Sequence, residues 1–322
     1  MKKIKLLSIL GMIILLFAGC LSESDRAERV LQKHLKERYG EEFVIYGMGK
    51  RAGNVRRWYE AAVVYPKSYI GTRKENDSYY WGKGFVELND GMKGGDTYGK
   101  VLLNESANEF YGKKLKELFG ENYLAVIDVK GPYSNRDFEK EMESRRISLE
   151  KELGGIPPEI AGGIYIFGRV ENDKDREWYR KQIYEFIQFM KETRTFEHVD
   201  LDILVVDERF LLDEFQNNSI GTLTKLEEIA DNIPKEEFLK KRKNIMNELN
   251  IYFENNKDYK ENLEKINKNE LRKEGAALYT KGNNLLYLKV YSPEYIKIQG
   301  YKKEISDYDS IIDVKFNWER WY

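Results

Sequence analysis

Ile164-Tyr165-Ile166-Phe167-Gly168-Arg169-Val170, the polar-and-apolar run Asp173 to Arg194, and Val199-Asp200-Leu201-Asp202-Ile203-Leu204-Val205-Val206 decide the fold between them. The first and last are short, apolar and rich in β-branched residues, which reads as strand. The middle run places Tyr179, Ile183, Phe186, Ile187 and Met190 at helical spacing, and Asp173 or Asp175 near its start suits the helix dipole. Just upstream, Gly154–Gly163 with Pro157 and Pro158 reads as a breaker loop, Asn135–Leu153 as a charged helix and Tyr123–Val129 as a strand. Strand, helix, strand, helix, strand over 123–207 predicts an α/β layer with helices packed on one sheet. Whether its strands run parallel stays open.

Towards the C-terminus, 221–272 is highly charged and mostly helical in pattern, with Phe238, Ile245, Leu249 and Phe253 at helical spacing. Ala276–Tyr291 reads as a hairpin turning at Lys281–Asn284, and Ile312–Trp318 alternates like a strand. Towards the N-terminus, Asp25 is a candidate cap for a helix running to Tyr39, and Gly40 is its stop. Ala27, Val30, Leu31, His34 and Leu35 share one face of that helix. Strands are expected at Phe43–Gly47, Trp58–Tyr65 and Tyr79–Leu88. The glycine run Gly91–Gly99 is expected to be a loop before a helix at Glu105–Phe119. Helix plus antiparallel meander is a cystatin-like pattern, a likeness of architecture that carries no function.

The expected fold class is therefore α+β. A helix-plus-meander domain spans 27–100, and an α/β layered domain spans 101–210. A helical segment with a C-terminal hairpin and strand, over 211–322, either stands apart or completes the second domain. Six of the eleven positions of Lys33–Phe43 recur identically in Lys113–Tyr123, with Tyr39/Phe119 and Phe43/Tyr123 as aromatic exchanges. A duplicated helix–stop–strand unit and convergence on a good helix stop both account for this.

The 322 residues carry 54 Lys+Arg against 55 Asp+Glu, two His and one Cys. A formal net charge of −1 gives no global basic field, so nucleic acid is not an expected partner. One Cys excludes an intramolecular disulfide and a Cys-rich zinc site. That Cys has a place: Lys2, Lys3 and Lys5 precede an apolar run from Leu6 to Phe17, and then comes Leu16-Phe17-Ala18-Gly19-Cys20. The run suits a signal peptide and is short for a spanning helix. The last five residues resemble the bacterial lipobox, with small Ala18 and Gly19 next to the cut and Phe17 where Leu is usual. An ordinary signal peptide or N-terminal anchor is the alternative. The resemblance implies cleavage after residue 19, lipidation of Cys20 and attachment to the membrane through it. Residues 20–26 then form a lipid-anchored tether of an extracytoplasmic chain. Removing residues 1–19 takes away three lysines and no acid, leaving 51 basic against 55 acidic residues and a net charge of −4.

The stretch from Gly162 to Arg176, with Lys36-Glu37-Arg38-Tyr39-Gly40-Glu41-Glu42-Phe43 upstream, resembles a set of uncharacterised fusobacterial lipoproteins over most of the mature chain. The resemblance implies a Gram-negative envelope, hence the outer membrane. It implies no activity and supplies no catalytic residues.

Candidate chemistry is sparse. Asp200 and Asp202 lie two apart on a strand, so both carboxylates point to one face as weak metal-site candidates. A solvent-facing strand edge is the plainer account. Asp173-x-Asp175-x-Glu177 and Asp307-x-Asp309 lack the glycine and the closing Glu of a calcium loop. His34 and His198 read as hydrogen-bonded packing residues. No catalytic constellation and no cofactor motif stand out, so no cofactor is expected and a non-enzymatic role is favoured. Tyr79, Tyr80 and Trp81, together with Arg56 and Arg57 beside Trp58, are candidate binding residues, because Tyr and Trp are over-used at recognition surfaces. The leading expectation is a lipid-anchored envelope protein that binds an envelope protein or another macromolecule. An envelope hydrolase or small-ligand binder whose site is assembled only in the fold is the alternative, and a toxin-neutralising lipoprotein is a further one.

Overall fold

A computed structural model describes residues 22–52, 57–88, 91–150, 159–197, 199–212, 225–226, 232–266, 268, 284–292, 310–311, 314–315 and 318–321. Cys20, Arg56 and His198 lie outside the described residues. The chain is α+β and divides into two compact units, 1–102 and 103–322.

In the first unit, helix α1 (Glu23–Tyr39) starts at Ser22. The Ser22 hydroxyl accepts from the Asp25 N–H, and the Asp25 carboxylate accepts from the Ser22 N–H, each at 3.1 Å. Asp25 is thus the third residue of a capping box and not the cap, and the helix begins inside the expected 20–26 tether. Five strands follow: β1 (Phe43–Tyr46), β2 (Gly49–Ala52), β3 (Arg57–Pro66), β4 (Gly82–Glu87) and β5 (Lys93–Asp96). They form an antiparallel sheet in the order β1-β3-β4-β5, with β2 also on β3. Leu31 and Leu35 of α1 pack with Phe43, Val64 and Val86. The Gln32 amide bridges the N–H and carbonyl of Phe43 on the edge strand at 3.0 Å each.

Two expectations fail here. Gly91–Gly99 is not all loop, since Lys93–Asp96 is a strand on β4. Gly94, like Gly84 of β4, leaves room for α1, and Gly95 leaves room for the Phe85 ring. A Cβ at Gly84 would meet the Leu31 side chain at 2.6 Å, and one at Gly94 would meet His34 Cβ at 2.7 Å. The strand expected at Tyr79–Leu88 begins only at Gly82, because Ser78–Tyr80 is a 3₁₀ turn capped by Asp77.

The second unit is a mixed sheet in the order β12-β9-β8-β7-β6. Its strands are β6 (Tyr123–Lys130), β7 (Glu159–Gly168), β8 (Val199–Asp207), β9 (Asn284–Tyr291) and β12 (Trp318–Trp321). A separate two-stranded pair, β10 (Ser310–Ile311) with β11 (Val314–Lys315), precedes β12. β7 and β8 are parallel and the other neighbours antiparallel. Helices α2 (Tyr98–Phe119), α3 (Phe138–Glu150), α4 (Asp173–Glu192), α5 (Lys235–Glu254) and α6 (Lys257–Lys265) complete the described elements. α4 connects the parallel pair, starts at Asp173 as expected and is capped by Asn172.

The quoted apolar run explains the layering. Ile164 and Ile166 face one core with Ile203, Val205, Leu286 and Leu288, under Tyr111 of α2 and Ile183 and Phe186 of α4. Tyr165 and Phe167 face the opposite core with Leu204 and Val206, under Phe253 of α5 and Leu263 of α6. A strand covered on both faces reads as an unbroken apolar run. Helices therefore lie on both faces of the sheet. β7 starts at Glu159, inside the expected breaker loop. The hairpin expected at Ala276–Tyr291 is described only in its second arm. Its first arm lies outside the described residues, and over Leu286–Lys289 both edges of its second arm are taken by β8 and β12. Ile312–Trp318 is not one strand, since β11 and β12 have different partners.

Candidate functional site

The strongest polar convergence of the second unit lies past the carboxyl ends of the parallel pair. Arg169 follows β7, Asp207 ends β8 and Arg209 lies in the 3₁₀ turn that continues it. Asp207 and Arg209 are 0% and 2% exposed. Arg209 Nε donates to Asp207 Oδ1 at 2.8 Å, a second guanidinium N–H donates to Oδ2, and a third donates to Asn250 Oδ1 on α5. Burial works against the arginine's charge, but the Asp207 carboxylate outweighs it and raises the Arg209 pKa above its ordinary value. Arg169 lies over the Phe253 ring, 4.7 Å from its centroid, and pairs with Glu208 and Glu254. Between these groups and α5 is a cavity of about 240 Å³, lined also by Glu171, Arg242 and Lys243. Ligands of open α/β sheets bind outside the carboxyl ends of parallel strands, and this cavity has that address.

Two other hollows carry less. One of about 400 Å³ sets Arg146 and Arg194 against Glu139, Glu143 and Glu197. An open groove in the first unit, of about 610 Å³, runs between α1 and the β1 edge, where Gln32 meets Phe43.

The sequence candidates fall elsewhere. Asp200 and Asp202 share a face of β8, and Lys289 of β9 reaches both carboxylates, at 2.8 and 2.9 Å. The Tyr287 hydroxyl also donates to Asp202 at 2.6 Å. An ammonium occupies the position a metal would need. Burial alone would lower the Lys289 pKa, yet the two carboxylates raise it. Among the described residues no group of three or more His, Cys, Asp and Glu is placed to hold a metal.

Tyr79, Tyr80 and Trp81 pack inward to different degrees. Tyr80 is buried, Tyr79 meets it edge-on at 5.2 Å, and Trp81 stacks with Tyr65 at 6.2 Å and donates its indole N–H to the Glu75 carbonyl. They rim the core that holds α1. Arg57 opens β3 opposite Ala52.

His34 belongs to a cluster in the first unit that the sequence did not reveal. Asp96, its side chain fully buried, receives His34 Nε2 at 2.8 Å, the Tyr39 hydroxyl at 2.5 Å and the Tyr98 N–H at 2.9 Å, with Arg38 at 3.6 Å. The arrangement ties the end of β5 to α1 and caps the start of α2. His34 is oriented by a carboxylate, as a general base would be. Its partners in the cluster are an acid, a phenol and a guanidinium, with no Ser or Cys nucleophile among the described members.

No family model matches the chain, and no curated protein matches it. Among solved structures it is similar to a DUF5037 family protein from Ruminococcus gnavus, over 55% of this chain and 73% of that chain, at 16% identity and a TM-score of 0.32.

Proposed function

We propose that the chain is a lipid-anchored protein of the bacterial envelope that acts by binding a macromolecule. The observation that carries the anchor is Cys20, the one Cys of the chain, standing directly after an apolar run and two small residues. Helix α1 is capped at Ser22, so a lipid on Cys20 would hold the first unit close to the membrane surface. No helix among the described residues is long and apolar enough to cross a membrane. Binding is supported by two large exposed side chains on α5, one of them aromatic. Ile251 and Tyr252 of α5 are 64% and 55% exposed, and the Tyr252 hydroxyl lies 3.1 Å from that of Tyr259 on α6. Tyr side chains contribute large, amphipathic contact area at recognition surfaces. A secreted toxin is one partner that such an anchored binder would neutralise.

Crosslinking in intact cells followed by purification from membranes tests the reading. A specific macromolecule is expected with the natural chain and is lost when Ile251 and Tyr252 are both replaced by Ser. Recovery of no specific macromolecule overturns the binding proposal. For the anchor, Cys20→Ser is expected to block processing or release the protein from the membrane fraction. Unchanged processing and membrane retention refute lipidation. A second reading, small-ligand binding, is favoured by the cavity at the ends of β7 and β8.

A further inference from the structure

We infer that the hollow lined by α2, α3 and the segment after α4 is a binding site for a small zwitterion with an apolar body, in the chemical class of an α-amino acid or short peptide with apolar side chains. Its space of about 400 Å³ lies within the range of ligand pockets. It is separate from the cavity at the ends of β7 and β8, and its occupant is a small molecule, so it stands or falls apart from the binding of a macromolecule. Phe110 of α2, with Phe138 and Met142 of α3, supplies an apolar lining. The two rings lie 5.2 Å apart and Phe138 is fully buried. What this hollow has, beyond that lining, is uncommitted charge of both signs. Arg194 follows α4, Glu139 stands in the first turn of α3 and Glu197 precedes β8. None of these three side chains makes a hydrogen bond or a salt bridge among the described residues. Glu143 and Arg146, which also line the hollow, are by contrast bonded to each other, with Arg146 Nε donating to Glu143 Oε2 at 3.0 Å. Arg146 foremost, and Arg194 through space, hold the Glu143 carboxyl below its ordinary value.

The backbone singles out Arg194. After α4 the Thr195 N–H closes on the Met190 carbonyl at 2.8 Å, and Arg194 sits inside that stop at φ 57°. It is the one non-Gly residue with left-handed backbone among the described residues. Glycine is the residue that fits such a stop, and Gly40 and Gly120 hold the left-handed position after α1 and α2. A side chain kept where the backbone favours none points to a role for the guanidinium. That role follows from the lining. A guanidinium fork matches a carboxylate, while Glu139 and Glu197 offer acceptors to an ammonium group. Phe110, Phe138 and Met142 offer apolar surface for a ligand side chain to cover. A simple anion would meet the two unpaired glutamates, and a simple cation would meet the unpaired arginine. A zwitterion satisfies both signs at once, so the same charges that attract it discriminate against ligands carrying only one.

The test is titration calorimetry of the purified full chain with L-phenylalanine, L-leucine and leucyl-leucine. Phenethylamine and hydrocinnamate serve as probes that carry the apolar body with one charge each. Saturable binding of at least one zwitterion is expected, with each singly charged probe weaker by about tenfold or more. Whether the amino acids or the dipeptide bind tells a free amino acid from a short peptide. Arg194→Gly is the decisive variant, because glycine suits the backbone at that position and folding is not put at risk. It is expected to weaken zwitterion binding about tenfold with no fall in the thermal midpoint. The double change Glu139→Gln with Glu197→Gln, at two exposed positions, is expected to weaken binding to a similar extent from the ammonium side. Binding of no zwitterion overturns the inference. Phenethylamine or hydrocinnamate binding as tightly as the best zwitterion overturns the ligand class. Zwitterion binding unchanged in Arg194→Gly places the ligand elsewhere and overturns the site.

Discussion

Asp207→Ala is expected to cost about 3–5 kcal/mol of unfolding free energy, the loss that follows when one partner of a buried ion pair is removed. Asp207 is 0% exposed and Arg209 2%. The carboxylate takes both the Nε and a terminal nitrogen of the guanidinium, and also accepts the Arg209 backbone N–H at 3.0 Å. Removing it leaves a buried charge whose remaining hydrogen bond is to the Asn250 amide, with the Glu171 and Glu208 carboxylates acting from further away. Neutralising the arginine is no escape, because a guanidinium stays protonated in proteins. The pair as a whole need not be stabilising, since desolvating two charges offsets much of their attraction. The double change Asp207→Leu with Arg209→Met is therefore expected to recover most of the single loss. Chemical denaturation of the three proteins measures this. A single-variant cost under about 1 kcal/mol, or a double variant no better than the single, contradicts the account.

The layered half of the fold was legible because its signals are local. Ile164-Tyr165-Ile166-Phe167 marks a strand with two buried faces, and the spacing of Tyr179, Ile183, Phe186 and Met190 fixes the inner face of α4. The stops at Gly40 and Gly120 were legible for the same reason. Both adopt left-handed backbone, and each N–H closes on the carbonyl four residues back, at Lys36 and at Lys116. What escaped depends on partners distant in sequence. Gly94 looks like loop until α1 is seen to lie against β5, and Gly95 until the Phe85 ring is seen to cover it. Tyr79, Tyr80 and Trp81 look like an alternating strand until the Asp77-capped turn rotates them inward. Asp200 and Asp202 look like an open carboxylate pair until β9 brings Lys289 between them. The cavity escaped for the same reason: its cations come from two strand ends and a helix. One local signal was available, since Arg169 and Arg209 each stand just past the end of an apolar strand joined by a helix to its parallel neighbour. The Asp96 cluster had no comparable signal, because its members come from α1 and the far end of β5.

Glu141→Gln is expected to destabilise the second unit by about 3 kcal/mol, and the pH dependence of the loss identifies its cause. Glu141 is 1% exposed and organises the turn before α3. One carboxylate oxygen accepts the Ser134 and Asn135 N–H groups and the Ser134 hydroxyl, at 2.7 to 3.0 Å, and the other accepts Arg145 Nε at 2.6 Å. Arg145 in turn donates to the carbonyls of Lys130 and Pro132. Burial alone would raise the Glu141 pKa, but Arg145 and the backbone donors prevail and hold it below its ordinary value of 4.5. A carboxyl whose pKa is depressed by folding contributes stability that is complete above the unfolded value and is lost as pH falls through the folded one. The natural protein should therefore lose this contribution on acidification below about pH 4.5. Glutamine keeps an acceptor for the turn but carries no charge at any pH, so the gap between the two proteins should be widest near neutrality and narrow as the medium becomes acid. The exposed carboxylates Glu23, Glu42 and Glu254 are also held low by lysines, and they contribute equally to both proteins and cancel in the difference. Urea midpoints for the two proteins, measured from neutrality down to the acid limit of folding, give that difference directly. A gap that stays constant with pH would mean that glutamine costs stability through packing alone, and that the Glu141–Arg145 charge pair does not hold the turn.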